Sequence, residues 1–216
     1  MNWDDLTQQA ADRHLNVLGG FHPDDTDDVP AGTQTLVLLG PKEPEFWTHI
    51  QTQGEWDGAP DPIDRWSSRV IGDWAAQLNA HALFPFGGGP PYKPFFSWAL
   101  KTGRIHASPI MFLVHDQAGL FVSFRGALAL TETLDISPPP PSPCSTCAIQ
   151  PCTTACPVDA FDGASYDTAA CKAHLEAPQG QDCMQRGCGA RRACPVSKSW
   201  GRPEKQSAYH MKIFKG

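Results

Sequence analysis

The first 136 residues carry two kinds of hydrophobic pattern, one of helical and one of strand period. Asn2 to Arg13 reads as a helix, with Asn2 placed to cap it and Asp4 and Asp5 in its first turn. Leu15 to Phe21 predicts a strand. Thr33 to Leu39 is a compact β-rich run closed by Gly40-Pro41, which predicts a buried strand. Pro44 to Gln53 suggests a helix. Asp61-Pro62 opens a longer helix to about Asn79, where Ile63, Trp66, Val70, Ile71, Trp74 and Leu78 share one face. A tryptophan stripe at that spacing predicts core packing. His81 starts a short strand that runs into Gly87-Gly88-Gly89-Pro90-Pro91, and Phe95 to Lys101 is a short helix stopped at Gly103. Ser108 to His115, a turn at Asp116 to Gly119 and the return of Leu120 to Thr131 predict a β-hairpin.

Strands and helices do not alternate as they would around a parallel sheet. The pattern therefore predicts an α+β domain over residues 1–136 with a mostly antiparallel sheet. The run Ser137 to Pro143, rich in proline, predicts a stiff extended linker, and a second domain fills 144–216. Composition adds little to the fold: apolar residues are 41% of 216, enough for a core. No apolar run is long enough to span a membrane and the acidic N-terminus is unlike an export signal, so a cytoplasmic protein away from membranes is expected. Charge is uneven. Residues 1–73 carry 14 acidic and 4 basic side chains, and the rest carry 9 and 13. Four aspartates between His22 and Gly32 predict a solvated loop, since the glycine and glutamate of a calcium-binding loop are missing. The late basic residues, Arg186, Arg191, Arg192, Lys198, Arg202, Lys205, Lys212 and Lys215, are expected to offset nearby negative charge or to dock an acidic partner. No aromatic platform motif points to nucleic acid.

The chemistry is concentrated in one stretch. All eight cysteines lie between Cys144 and Cys194. They read Cys144-x2-Cys147-x4-Cys152-x3-Cys156-Pro157, then Cys171 alone, then Cys183-x4-Cys188-x5-Cys194-Pro195. In a two-cluster ferredoxin, three close cysteines wrap one corner of a cubane cluster, and the fourth, followed by proline, ligates the other cluster. The spacing therefore assigns Cys144, Cys147, Cys152 and Cys194 to one [4Fe–4S] cluster and Cys156, Cys171, Cys183 and Cys188 to a second. Four residues, Ala148 to Pro151, separate cysteines that a ferredoxin spaces by two, so the loop must bulge. Structural zinc also takes four cysteines but does not need the crossed Cys-Pro pattern, and disulfides need an oxidising compartment.

The order of parts resembles epoxyqueuosine reductase: an α+β domain, a hairpin, a linker and a two-cluster ferredoxin module. The segment His115 to Gly126 is more similar to the hairpin of the cblC-type cobalamin-processing proteins. The resemblance implies a nitroreductase-like first domain that holds a corrinoid, cobalamin, and a ferredoxin-like second domain with two [4Fe–4S] clusters. It places Cys171 in the second cluster. It implies a corrinoid face lined by Gly87, Gly88, Gly89, His115, Phe124, Arg125 and Gly126, and an external electron donor of flavodoxin or ferredoxin type. The acidic residue that the reductase carries ahead of the proline matching Pro91 is absent, which argues against epoxyqueuosine as substrate. Two functions follow as expectations: an iron–sulfur oxidoreductase passing electrons to a corrinoid or small substrate, or a ferredoxin-like carrier whose first domain docks a protein.

Overall fold

A computed structural model describes all 216 residues. In chain order the elements are α1 (Trp3–Asp12), β1 (Leu15–Phe21), β2 (Thr35–Pro41), α2 (Phe46–Ile50), α3 (Pro62–Gln77), β3 (His81–Leu83), α4 (Phe95–Lys101), β4 (Ile105–Ala107), β5 (Leu113–His115), β6 (Gly126–Leu130), α5 (Thr168–Glu176), α6 (Gln181–Arg186), α7 (Gly189–Ala193), α8 (Pro195–Ser199) and α9 (Glu204–Lys215). Every strand pairing is antiparallel, so the chain is α+β as its pattern predicts. No helix is long and apolar enough to cross a membrane. The chain divides into two units, Met1–Arg104 with Ser123–Pro140, and Ile105–Val122 with Pro141–Gly216.

The first unit is built on a four-stranded sheet in the order β1-β2-β6-β3. All seven residues of β2 and all five of β6 are buried, which is what a central strand covered on both faces requires. Helix α1 is fixed by a reciprocal cap: Asp5 N–H donates to Asn2 Oδ1 at 2.7 Å and Asn2 N–H to Asp5 Oδ2 at 3.1 Å. Helix α3 has proline in its first turn as expected, but Asp61 does not cap it. Asp61 sits at φ 53° and its side chain makes no capping bond. The predicted stripe is a packing stripe. Ile63, Trp66, Ile71 and Trp74 are buried, and with Trp98 of α4 the two tryptophans of α3 are wholly inside. Removing a core tryptophan of this kind costs about 3–5 kcal/mol. The aspartate loop is neutralised from within: Lys101 Nζ reaches Asp24 at 3.2 Å and Asp27 at 2.7 Å. Thr26 donates both its hydroxyl and its amide to Asp24 and, with Lys101, holds that carboxyl down to about 2.

The second unit holds the two-stranded sheet β4–β5 and helices α5 to α9. One cluster of its buried residues is Ile110, Val114, Leu120, Cys152, Ala190 and Cys194. The expected hairpin is not formed. The turn at 116–119 is there, with His115 and Gly119 exchanging both backbone bonds, but β5 pairs with β4 and β6 pairs with β2 and β3. The reason is burial. Gly126–Leu130 is apolar on both faces and belongs between two strands, whereas Leu120 serves the second core. Residues 105–122 therefore group with the cysteine-rich segment instead of the first domain. The other boundary falls at Pro140 and Pro141, inside the proline run.

Arg125 shows how the first unit accommodates charge beside α3. Its Nη1 donates to Asp64 Oδ1 at 2.9 Å. Burial pushes the Asp64 carboxyl above its ordinary value, and the Arg125 charge works against that rise. A raised carboxyl favours the fold when protonated, so stability is lost as pH rises from about 4 through the raised value. Arg125→Met should deepen that loss. We expect a destabilisation of about 1–3 kcal/mol at pH 7 that shrinks below pH 4, measured by denaturant unfolding across pH. A destabilisation independent of pH would contradict the role given to Asp64.

Candidate functional site

Eight free cysteines are gathered in the second unit as two sets of four. Cys144, Cys147, Cys152 and Cys194 line one cavity of about 250 Å³, and Cys156, Cys171, Cys183 and Cys188 line another of about 250 Å³. These are the sets that the crossed spacing assigns. Cys194 joins the first run and Cys156 joins the second.

Local structure explains each placement. In the first set, a turn closes with Cys147 N–H donating to Cys144 O at 3.3 Å. Gln150, at φ 43°, then leads into a single 3-10 turn, Pro151–Thr153, which buries Cys152. The extra residues bulge as expected, leaving Ile149 87% exposed. Cys194 stands at the junction of α7 and α8, with Pro195 starting α8. Gly119 is needed here: its φ is 57°, and a Cβ on it would lie 2.4 Å from the Ser197 amide nitrogen. That close approach lets Leu120 N–H donate to Ser197 Oγ at 2.8 Å, tying the turn to α8.

In the second set the first Cys-Pro does not start a helix. Pro157 enters a turn in which Asp159 N–H donates to Cys156 O at 3.2 Å and Ala160 N–H to the Cys156 sulfur at 3.3 Å. The helix waits until Thr168, where Asp167 accepts from Ala170 N–H at 2.8 Å. Cys171 lies in the first turn of that helix, α5. Cys183 is on α6, and Gly187, at φ 90°, ends that helix so that Cys188 leads into α7.

Electrostatics bind each set together. Burial pushes the Cys144 thiol up, and the charges of Cys152, Cys194 and Cys147 add to it. Cys152 is raised by burial and then by Cys194 and Cys147. Cys171 is raised by burial, with Cys188, Cys156 and Cys183 adding and a hydrogen bond from Tyr166 opposing. Cys183 is likewise raised by burial, against an N–H bond from Gly189. Four thiolates cannot coexist in either cavity without a cationic group among them. No three histidine, cysteine, aspartate or glutamate side chains converge closely enough to hold a single metal ion. Each set is spread around a cavity instead.

Three residues of these cavities gave no reason for selection in the sequence. Ser108 is 8% exposed and lines the first cavity, and its hydroxyl has no protein partner. Tyr166 stacks on Phe161 at 4.7 Å in the second, its phenol held well above the usual tyrosine range by burial and by Cys171. Arg191 also lines the second cavity, with its guanidinium 4.8 Å from the centre of the Phe112 ring. Along the chain it is one of the late basic residues, and only geometry separates it from them. Arg186 is paired with Asp182 and Glu204, and Arg192 with Asp182.

Neither cysteine-lined cavity includes any of the residues expected on a corrinoid face. Gly87 and Gly88 are exposed at φ 67° and 65° with open space around them, and Gly89 is exposed against Tyr92. Phe124 packs on Phe95 at 5.8 Å, and Arg125 holds Asp64. Gly126 is a buried strand residue where a Cβ would lie 2.8 Å from Ile71. His115 belongs to the second unit and is 1% exposed. Its Nδ1 accepts from Gln117 and Ala118 N–H at 3.1 and 3.0 Å, and its Nε2 lies 3.1 Å from Asp116. It organises the turn.

The raised thiols make a direct prediction. In folded protein stripped of metal, Cys144, Cys152, Cys171 and Cys183 should alkylate more slowly at pH 8 than in the urea-unfolded chain, read by mass spectrometry, because less of each is thiolate. Equal rates would show that the cavities do not perturb them. A scan against protein-family models, a search of curated proteins and a search of solved structures return no match to this chain.

Proposed function

We propose that the second unit is a ferredoxin-like module that holds two [4Fe–4S] clusters and that the protein transfers single electrons. The observation that carries this reading is the crossed convergence of the eight cysteines around two separate cavities. Zinc would need four sulfurs at about 2.3 Å from one point. A cube keeps its four ligands apart at its corners, and cysteines spread around a void with no single-ion convergence suit it better. The unpartnered Ser108 hydroxyl and the Arg191 guanidinium supply a hydrogen-bond donor and a positive charge for anionic groups in these cavities.

When bound, such clusters supply one-electron chemistry at low potential. The chain's own residues do the rest. Cys144, Cys147, Cys152 and Cys194 would hold one cluster, and Cys156, Cys171, Cys183 and Cys188 the other. Leu120, Val114 and Val196 exclude water from the first, and Phe112, Phe161 and Leu175 from the second. Backbone N–H groups of Ala160 and Gly189 steady the sulfurs of Cys156 and Cys183. An external donor of flavodoxin or ferredoxin type fits a module with no flavin or nicotinamide motif of its own. The reading rests on the cysteine-lined cavities, which include none of residues 87–89, 115 and 124–126 expected on a corrinoid face.

Two measurements test this. After anaerobic reconstitution, Cys171→Ala and Cys194→Ala should each lose about half of the iron and sulfide, and reduced samples should show one [4Fe–4S] electron paramagnetic resonance signal in place of two. A wild-type count retained in Cys171→Ala, or zinc in place of iron, would overturn the proposal. Cob(II)alamin added to the loaded protein should keep its base-on spectrum. A base-off spectrum would instead establish a corrinoid site and an oxidoreductase acting through it.

A further inference from the structure

The two cavities differ in charge. The first is lined, apart from its cysteines, by neutral residues such as Ser108, Val114, Leu120, Thr146 and Gln150. The second is lined by two guanidinium groups, Arg191 and Arg202, and by the imidazoles of His174 and His210. Arg202 lies 5.6 Å from the Phe121 ring and donates to Phe121 O at 3.4 Å, whereas Arg191 lies 4.8 Å from the Phe112 ring and makes no ion pair with a carboxylate. The electrostatic partners of Arg191 are Cys188 and Tyr166, and burial lowers its affinity for its proton. A guanidinium desolvated without an acid is unstable unless the space beside it carries negative charge. Tyr166 adds a second stabilising group, a phenol directed at Cys171.

We infer that Arg191 sets an order between the two centres: it raises the reduction potential of the one held by Cys156, Cys171, Cys183 and Cys188 above that of the one held by Cys144, Cys147, Cys152 and Cys194. The inference rests on the two-cluster reading. A centre that takes up an electron becomes more negative by one charge, and a fixed positive charge in the same poorly screened cavity favours that state. No proton moves and no bond forms. An electron delivered by a one-electron donor of flavodoxin or ferredoxin class therefore settles in the Cys156 half, and Arg191 acts as a positioning residue for charge.

The test is a redox titration of the anaerobically loaded protein followed by electron paramagnetic resonance, with iron and sulfide counted first. If neither metal nor sulfide is present, the two-cluster reading fails before the inference is reached. With both centres present, the wild type should show two midpoints. Arg191→Met should lower the higher midpoint by at least a tenfold change in the reduction equilibrium, about 59 mV for one electron, and leave the lower one in place. Arg191→Lys, which keeps the charge, should stay close to wild type, an outcome that a purely structural role does not predict. In the Cys194→Ala background, where only the second centre remains, Arg191→Met should produce the same drop. Where the methionine variant does not load, Arg191→Gln carries the same test. Unchanged midpoints in the neutral variant, or a shift confined to the first centre, would overturn the inference.

Discussion

The cost of ionising several buried cysteines side by side is the constraint on which the second unit depends. Cys152, Cys183 and Cys194 are buried, and the other five cysteines are partly so, each within reach of its set. Two of the six buried residues that cluster around Val114 and Leu120 are themselves cysteines. Burial pushes the Cys144 and Cys171 thiols up, and the neighbouring cysteines of each set add to it. On the two-cluster proposal, binding free energy would become folding free energy, as it does in small metal-dependent domains. The short helices α6, α7 and α8, each of six residues or fewer, make the same point: pieces of that length hold their shape through what they pack against.

The first unit obeys different rules. Its stability comes from a sheet whose two inner strands are wholly buried and from three enclosed tryptophans. Two of its cations are paired with carboxylates, Lys101 with Asp24 and Asp27 and Arg125 with Asp64. What distinguishes its surface is apolar exposure near α4, where Tyr92, Phe96 and Leu100 are 63%, 52% and 39% exposed.

Much of this was legible in the sequence because the signals were local. The Asn2 cap, the strand Leu15–Phe21 and the tryptophan face of α3 each depend on residues within a few positions of one another. The cysteine sets were legible for another reason: the ferredoxin spacing pairs each Cys-Pro cysteine with the other run, and the two cavities are lined in that crossed way. The errors came where a nonlocal partner decided the outcome. Leu120 to Thr131 alternates like the return arm of a hairpin, yet Gly126–Leu130 is drawn between β2 and β3 and Leu120 into the other core. Arg191 could not be told from Arg192 by any pattern along the chain, since what separates them is that Arg192 has Asp182 and Arg191 has none.

Native mass spectrometry of anaerobically loaded protein addresses the two-cluster claim most directly, because it counts and identifies what eight cysteines hold without assuming a function. The expected mass exceeds that of the reduced chain by two four-iron, four-sulfur groups less the protons released from the thiols. The chain carrying two zinc ions, or carrying iron without sulfide, would contradict it.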